Sequence, residues 1–132
     1  MREQIVFVNG TFDIIHAGHL ELLRYAKTLG DRLYVGIDSD ERVSKLKGPD
    51  RPINKEHERF LLLSHLKPVD KVFIFHSDEE LIDLIRNCDM MVKGSDYIGK
   101  PIVGQDVCKS IIFFEKLNGY STTEKIKSII NR

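Results

Sequence analysis

The sequence predicts an α/β protein, a single doubly wound domain spanning residues 1–132 and built on a five-stranded parallel sheet. Three observations carry that expectation. Short apolar runs alternate along the chain with amphipathic stretches of helical period, the arrangement required when helices cover a parallel sheet on both faces. The length, 132 residues, suffices for one hydrophobic core and not for two. Finally, the first apolar run ends in a polar, glycine-bearing segment that opens a helix, and open parallel sheets lodge ligands at the carboxyl ends of their strands.

Taken in order, the predicted strands are Ile5–Val8, Leu33–Ile37, Val72–Phe75, Met90–Val92 and Ile111–Phe114, each short and apolar as a strand buried on both faces should be. Between the first two, Leu22, Ala26 and Leu29 recur at helical spacing while Glu21, Arg24 and Lys27 point away, and Gly30 offers a stop. Further helices are expected from Lys55 to His65, from Asp78 to Asn87, and after Ser121, where Ile126, Ile129 and Ile130 share a stripe. The least periodic stretch, Lys45 to Asn54 (KLKGPDRPIN), holds two prolines and a glycine and is expected to be an exposed, mobile loop. A second irregular stretch, Gly94 to Gly104, follows the fourth strand.

Composition narrows the function. A chain that is 42% hydrophobic and 30% charged, with only 4 prolines, is neither disordered nor fibrous. Twenty basic residues balance twenty acidic ones, so no global field gathers a nucleic acid or an acidic membrane, and an anionic ligand must be held by local groups. No apolar stretch approaches the roughly 18 to 20 residues of a membrane span. Cys88 and Cys108, in a chain that runs straight into a strand pattern, are expected to be reduced thiols, which points to the cytoplasm.

The strongest local signal is Asn9 to Leu20, NGTFDIIHAGHL, where two histidines bracket Gly18 as a helix begins. Unpaired amides and the positive dipole end at a helix start form an anion site, and glycine lets backbone approach phosphate. Imidazoles at 16 and 19 can donate to phosphate oxygens, or serve simply as a cap and a solvated side chain. Zinc is disfavoured because a third spaced ligand is missing and His57, His65 and His76 are scattered. Neither GxxxxGK[ST] nor GxGxxG is present. Asp13 and Asp40 could ligate a metal but equally suit a turn or a cap, and no protein metal ligand is assigned.

The segment GTFDIIHAGH resembles the nucleotidyltransferase superfamily, and NGYSTT (Asn118 to Thr123) is similar to the second signature of its cytidylyltransferase-like branch. Together with LKGPDRPIN and VKGSDY the likeness covers nearly the whole chain, and it is greatest to the adenylyltransferase domains of bacterial ADP-heptose synthases. Glycerol-3-phosphate cytidylyltransferases share GTFD, HxGH and STT, but arginines typical of that branch are absent from KPVDKV (Lys67 to Val72) and KLNGYSTT (Lys116 to Thr123). The heptose enzymes often carry a kinase domain upstream, whereas this chain begins almost at its first strand, so no making of the sugar 1-phosphate itself is expected.

The resemblance implies a Rossmann-like sheet and transfer of a nucleotidyl group from ATP to a heptose-like sugar 1-phosphate, with CTP and glycerol 3-phosphate, or a non-catalytic nucleotide-binding module, as alternatives. It implies catalytic roles for His16, His19, Lys47 and Arg59, although Arg59 could instead pair with Glu56 along its helix face. The nucleotide would contact Gly10, Thr11, Phe12, Gly18, Lys93, Gly94, Asp96, Gly119, Ser121, Thr122 and Thr123, the last three being also good helix caps. Lys45 and Arg51 would bind the acceptor. Mg²⁺ is expected with the triphosphate, no other cofactor is, and a homodimer is implied.

Overall fold

A computed structural model describes residues 2–115. Its elements run β1 (Ile5–Gly10), α1 (Ala17–Thr28), β2 (Arg32–Asp38), α2 (Asp40–Lys47), α3 (Glu56–Ser64), β3 (Lys71–Phe75), α4 (Asp78–Arg86), β4 (Met90–Gly94) and β5 (Ile111–Phe114). The sheet has five strands, all parallel, in the order β3-β2-β1-β4-β5. The predicted fold class is therefore observed, with the winding reversing between β1 and β4. A crevice opens at that reversal, above the carboxyl ends of the strands.

Strand alternation divides the core into two layers. Val6 and Val8 of β1 point with Leu33, Val35 and Ile37 toward Leu23 and Ala26 of α1 and Leu63 of α3. Phe7 points the other way, with Phe75 and Met91, toward Leu81 and Ile85 of α4. Because both sheet faces are covered, these strands read as unbroken apolar runs. Gly36 is where the layers leave no room, since a Cβ there would sit 2.7 Å from the Phe7 ring.

Some expectations are refined and one is corrected. The stripe of α1 includes the expected Leu22, Ala26 and Leu29, all against the core, and adds the fully buried Leu23, with Leu22 also reaching the crevice. Gly30 directly follows the α1 C-cap, as expected of a stop, and its smallness has a second reason: a Cβ there would meet the Gln4 carbonyl at 2.8 Å, where the α1–β2 turn passes the start of β1. The largest change falls on the segment expected to be a mobile loop. Lys45 to Lys47 belong to α2, which Ser39 caps by accepting from the Arg42 amide and which ends at Gly48, φ 112°. After Gly48 the chain is tied down: Ser44 donates to the Arg51 carbonyl, and the Ile53 and Asn54 amides donate to Asp13 at 2.7 and 2.8 Å. Prolines and charges disguise a segment held by a carboxylate forty residues away.

Both cysteines are free thiols. Burial pushes the Cys88 thiol up to about 12. Among the described residues no helix is long and apolar enough to cross a membrane. The expected helix after Ser121 lies outside the described residues.

Candidate active site

Above the carboxyl ends of β1, β2 and β4 lies a cavity of about 470 Å³. The start of α1, the side of α2, Leu81 of α4 and the segment after β4 wall it in. Gly10 leaves room for the Phe12 ring that folds back over it, since a Cβ would stand 3.2 Å from that ring and press it aside by a few tenths of an ångström. Phe12 and Ile14 both adopt positive φ, 53° and 48°. Two non-glycine residues held in that sparsely occupied region mark a loop whose shape is imposed by its surroundings.

The histidine spacing proves to be a capping spacing. His16 is the N-cap of α1 and His19 lies three residues on. His16 Nδ1 accepts from the Gly18 amide at 3.1 Å, and His19 Nδ1 accepts from the His16 amide at 3.2 Å. The two rings lie 3.9 Å apart, centroid to centroid, and both line the cavity. A neutral imidazole that accepts at Nδ1 carries its hydrogen on Nε2. Each histidine is therefore fixed as an Nε2–H donor at a helix N-terminus, where anions are already favoured. Of the readings left open by the sequence, capping is the one these hydrogen bonds show, and it uses Nδ1 of each ring.

What holds this loop is a buried guanidinium. Arg59 has no exposed surface, and it donates to the Asn54, Thr11 and Asp38 carbonyls at 2.9, 2.9 and 2.8 Å and to Asp40 at 2.8 Å. One side chain thus joins the turn after β1, the end of β2, the start of α2 and the start of α3. Asp40 and Glu56 complete the joint, each carboxylate accepting from the other's amide. Asp13, also fully buried, accepts from Ile53 and Asn54 and faces Arg51 Nε at 3.6 Å. Arg59 does not line the cavity, so its expected catalytic role and its expected helix-face pair with Glu56 are both corrected to that of a positioning residue. Asp13 and Asp40 are likewise committed to the scaffold.

Of the other predicted residues, Gly10, Thr11, Phe12, Gly18, Lys47, Lys93 and Gly94 meet at the cavity with the histidines. Lys45 does not: it is exposed on α2 and paired with Glu41. Arg51 sits behind the loop against Asp13, and Asp96 is exposed on the short turn Ser95–Tyr97. None of these three lines the cavity. Gly119, Ser121, Thr122 and Thr123 lie outside the described residues. Lys93 is almost wholly buried, donates to Asn9 Oδ1 at 3.0 Å and stands 4.8 Å over the Tyr97 ring. Burial holds its ammonium below the usual lysine range, against the charges of Asp38 and Asp96, which raise it.

Sequence reasoning missed Asn9, Asp38 and Arg42, all on the cavity wall. A signal was there: Asn9 and Asp38 are the polar residues that end two otherwise apolar strand runs, and such positions face the crevice.

The cytidylyltransferase-like family model matches residues 7–128. This chain belongs to the cytidylyltransferase-like family of nucleotidyltransferases. Among its curated relatives is the bifunctional protein HldE of a Nitratiruptor species, 49% identical over 123 residues. That of Wolinella succinogenes is 48% identical over 128 residues. The matches cover 92% and 96% of this chain but 26% and 27% of those proteins, so the chain spans about a quarter of the length of these relatives. Among solved structures, the lipopolysaccharide core biosynthesis protein of Thermoplasma volcanium superposes with a TM-score of 0.74 at 26% identity, covering 89% of this chain and all of that one.

Proposed function

We propose that this chain transfers an adenylyl group from ATP to a heptose-like sugar 1-phosphate, releasing pyrophosphate and giving an ADP-sugar. The observation that carries the reading is the pair of imidazoles locked as Nε2–H donors at the start of α1, with Lys47 and Lys93 on the same cavity. In the reaction an oxygen of the acceptor phosphate forms a bond to the α-phosphorus as the bond to the β-phosphate oxygen breaks, and the electron pair leaves with pyrophosphate. Such a transfer needs alignment and charge neutralisation more than covalent help. His16 and His19 donate to the phosphate oxygens on which charge accumulates, and their caps hold them there before substrate arrives, so little reorganisation is needed. Lys47, at the exposed end of α2 and on the same cavity, supplies positive charge over the leaving phosphates.

Magnesium would arrive with the triphosphate. Among the described residues no three His, Cys, Asp or Glu side chains converge as ligands, and Asp13, Asp38 and Asp40 already bind amides or guanidinium groups. That donor set suits an ion carried by phosphates and water, whose contribution when bound is to neutralise phosphate charge. Adenosine and a sugar acceptor are favoured over cytidine and glycerol 3-phosphate by the LKG and VKG segments, which resemble the heptose branch, and by the missing arginines. A cytoplasmic two-fold homodimer completes the reading, and a monomeric mass in light scattering at micromolar concentration would refute the dimer.

The deciding experiment is a matrix of ATP, CTP, GTP and UTP against heptose 1-phosphate, other sugar 1-phosphates and glycerol 3-phosphate, scored by pyrophosphate release. ATP with heptose 1-phosphate is the expected best pair. CTP with glycerol 3-phosphate would select the cytidylyltransferase alternative, and nucleotide binding without any release would make the chain a binding module.

A further inference from the structure

The cavity is chemically divided across the sheet. Over β1 and β4 lie the two histidines and Lys93, and beyond them Tyr97 and Ile102 form an apolar strip. Over β2, on the other side of β1, the wall is an ion pair. Asp38 ends that strand, 7% exposed, and its Oδ1 accepts from Arg42 Nε at 3.0 Å. Arg42 is held from two further directions, by Asp78 at 3.2 Å and by the Phe75 ring 5.1 Å beneath the guanidinium. Both members of the pair line the cavity.

The transfer step as proposed above assigns this pair no role. A nucleobase is uncharged and belongs on the apolar strip, while a triphosphate belongs with the histidines and lysines and is repelled by a carboxylate. An ion pair on a cavity wall is weak support for stability, and this one presents both its members to the cavity, where a ligand can meet them. A carboxylate and a guanidinium side by side offer acceptors next to donors, the complement of a group that does both. Hydroxyls do both.

We propose that Asp38 and Arg42 read the hydroxyl groups of the acceptor, which is therefore a polyhydroxylated phosphate ester lying over β2 with its phosphate directed at His16 and His19. This deepens the nucleotidyltransferase reading and rests on it. A wall built to bond hydroxyls discriminates strongly against acceptors lacking them, since its buried polar groups are then left unpaired.

The test uses Asp38→Asn, Arg42→Ala and Arg42→Lys, with Lys45→Ala, on the same helix but outside the cavity and paired with Glu41, as a control expected to bind as the parent does. Calorimetry would follow heptose 1-phosphate, and separately glycerol 3-phosphate, binding to protein saturated with the non-reactive analogue α,β-methylene-ATP. Binding of the analogue itself is measured in parallel. The expected result is at least a tenfold loss of heptose 1-phosphate affinity in Asp38→Asn and Arg42→Ala, a smaller loss in Arg42→Lys, and analogue affinity within about twofold of the parent, since one well-made hydroxyl bond is commonly worth that much. Preference for the heptose ester over glycerol 3-phosphate should shrink in the same variants. Asp38→Asn is isosteric, so the proposal stays testable should Arg42→Ala fail to fold. Unchanged heptose 1-phosphate affinity, or a parallel loss of analogue affinity, would overturn the inference. If the parent binds the sugar ester through this pair yet releases no pyrophosphate with any triphosphate, the reaction reading fails and the hydroxyl-reading wall stands.

Discussion

Replacing Arg59 by methionine keeps most of the side-chain volume and removes the guanidinium that ties four segments together. Three backbone carbonyls, of Thr11, Asp38 and Asn54, then lose their donor in a place where the arginine had no exposed surface. At about 1 kcal/mol for each such bond, with a similar share from the partly exposed Asp40, the loss comes to roughly 3–5 kcal/mol, the range found when one partner of a buried pair is deleted. At roughly 3–4 °C per kcal/mol for a chain of this size, the melting temperature should fall by about 10–20 °C. Differential scanning calorimetry measures it. Arg59→Lys should recover little, because an ammonium cannot reach carbonyls in the fork geometry. The exposed Lys45→Ala, which removes only a surface pair with Glu41, should shift the melt by less than about 2 °C. If Arg59→Met melts with the parent while pyrophosphate release collapses, the arginine acts on substrate and the scaffold argument is wrong.

Three further outcomes are expected. His16→Asn preserves a side-chain acceptor at the N-cap but deletes the Nε2 donor, so stability should hold within about 1 kcal/mol while the rate falls at least about a hundredfold; a parallel fall in both would reduce the histidine to a cap. Lys47→Ala should lower turnover far more than nucleotide affinity in paired kinetic and binding measurements, and equal losses would make Lys47 a simple binding group. Lys93, whose charged form is disfavoured by burial, should lose its proton at lower pH than an ordinary lysine. The alkaline limb of kcat/KM should therefore begin below the usual lysine range and recede in Lys93→Arg, which keeps its charge; an identical limb in that variant would assign the titration elsewhere.

The five strands and their parallel arrangement were legible in the sequence, because strands buried on both faces must be continuous apolar runs and the helices between them must be amphipathic. The place of the cavity was legible too. The His-x-Gly-His spacing stands out because the three-residue step that lets His16 and His19 cap α1 reciprocally also brings both rings to one helix end. Helix α2 escaped notice: only Val43 of its eight residues is buried, so no apolar stripe announces it. The job of each charged residue, by contrast, emerges only from the folded chain. Arg59, Arg42 and Arg51 are the same residue type in similar polar surroundings along the chain, yet one is a buried clamp, one a cavity wall and one a brace behind Asp13. Those roles depend on partners up to 48 positions away, and such pairings form only when strands roughly 5 Å apart and the loops beyond them are brought into register. Local periodicity reports which face a residue takes, and electrostatic partnership is a property of what the fold places opposite it.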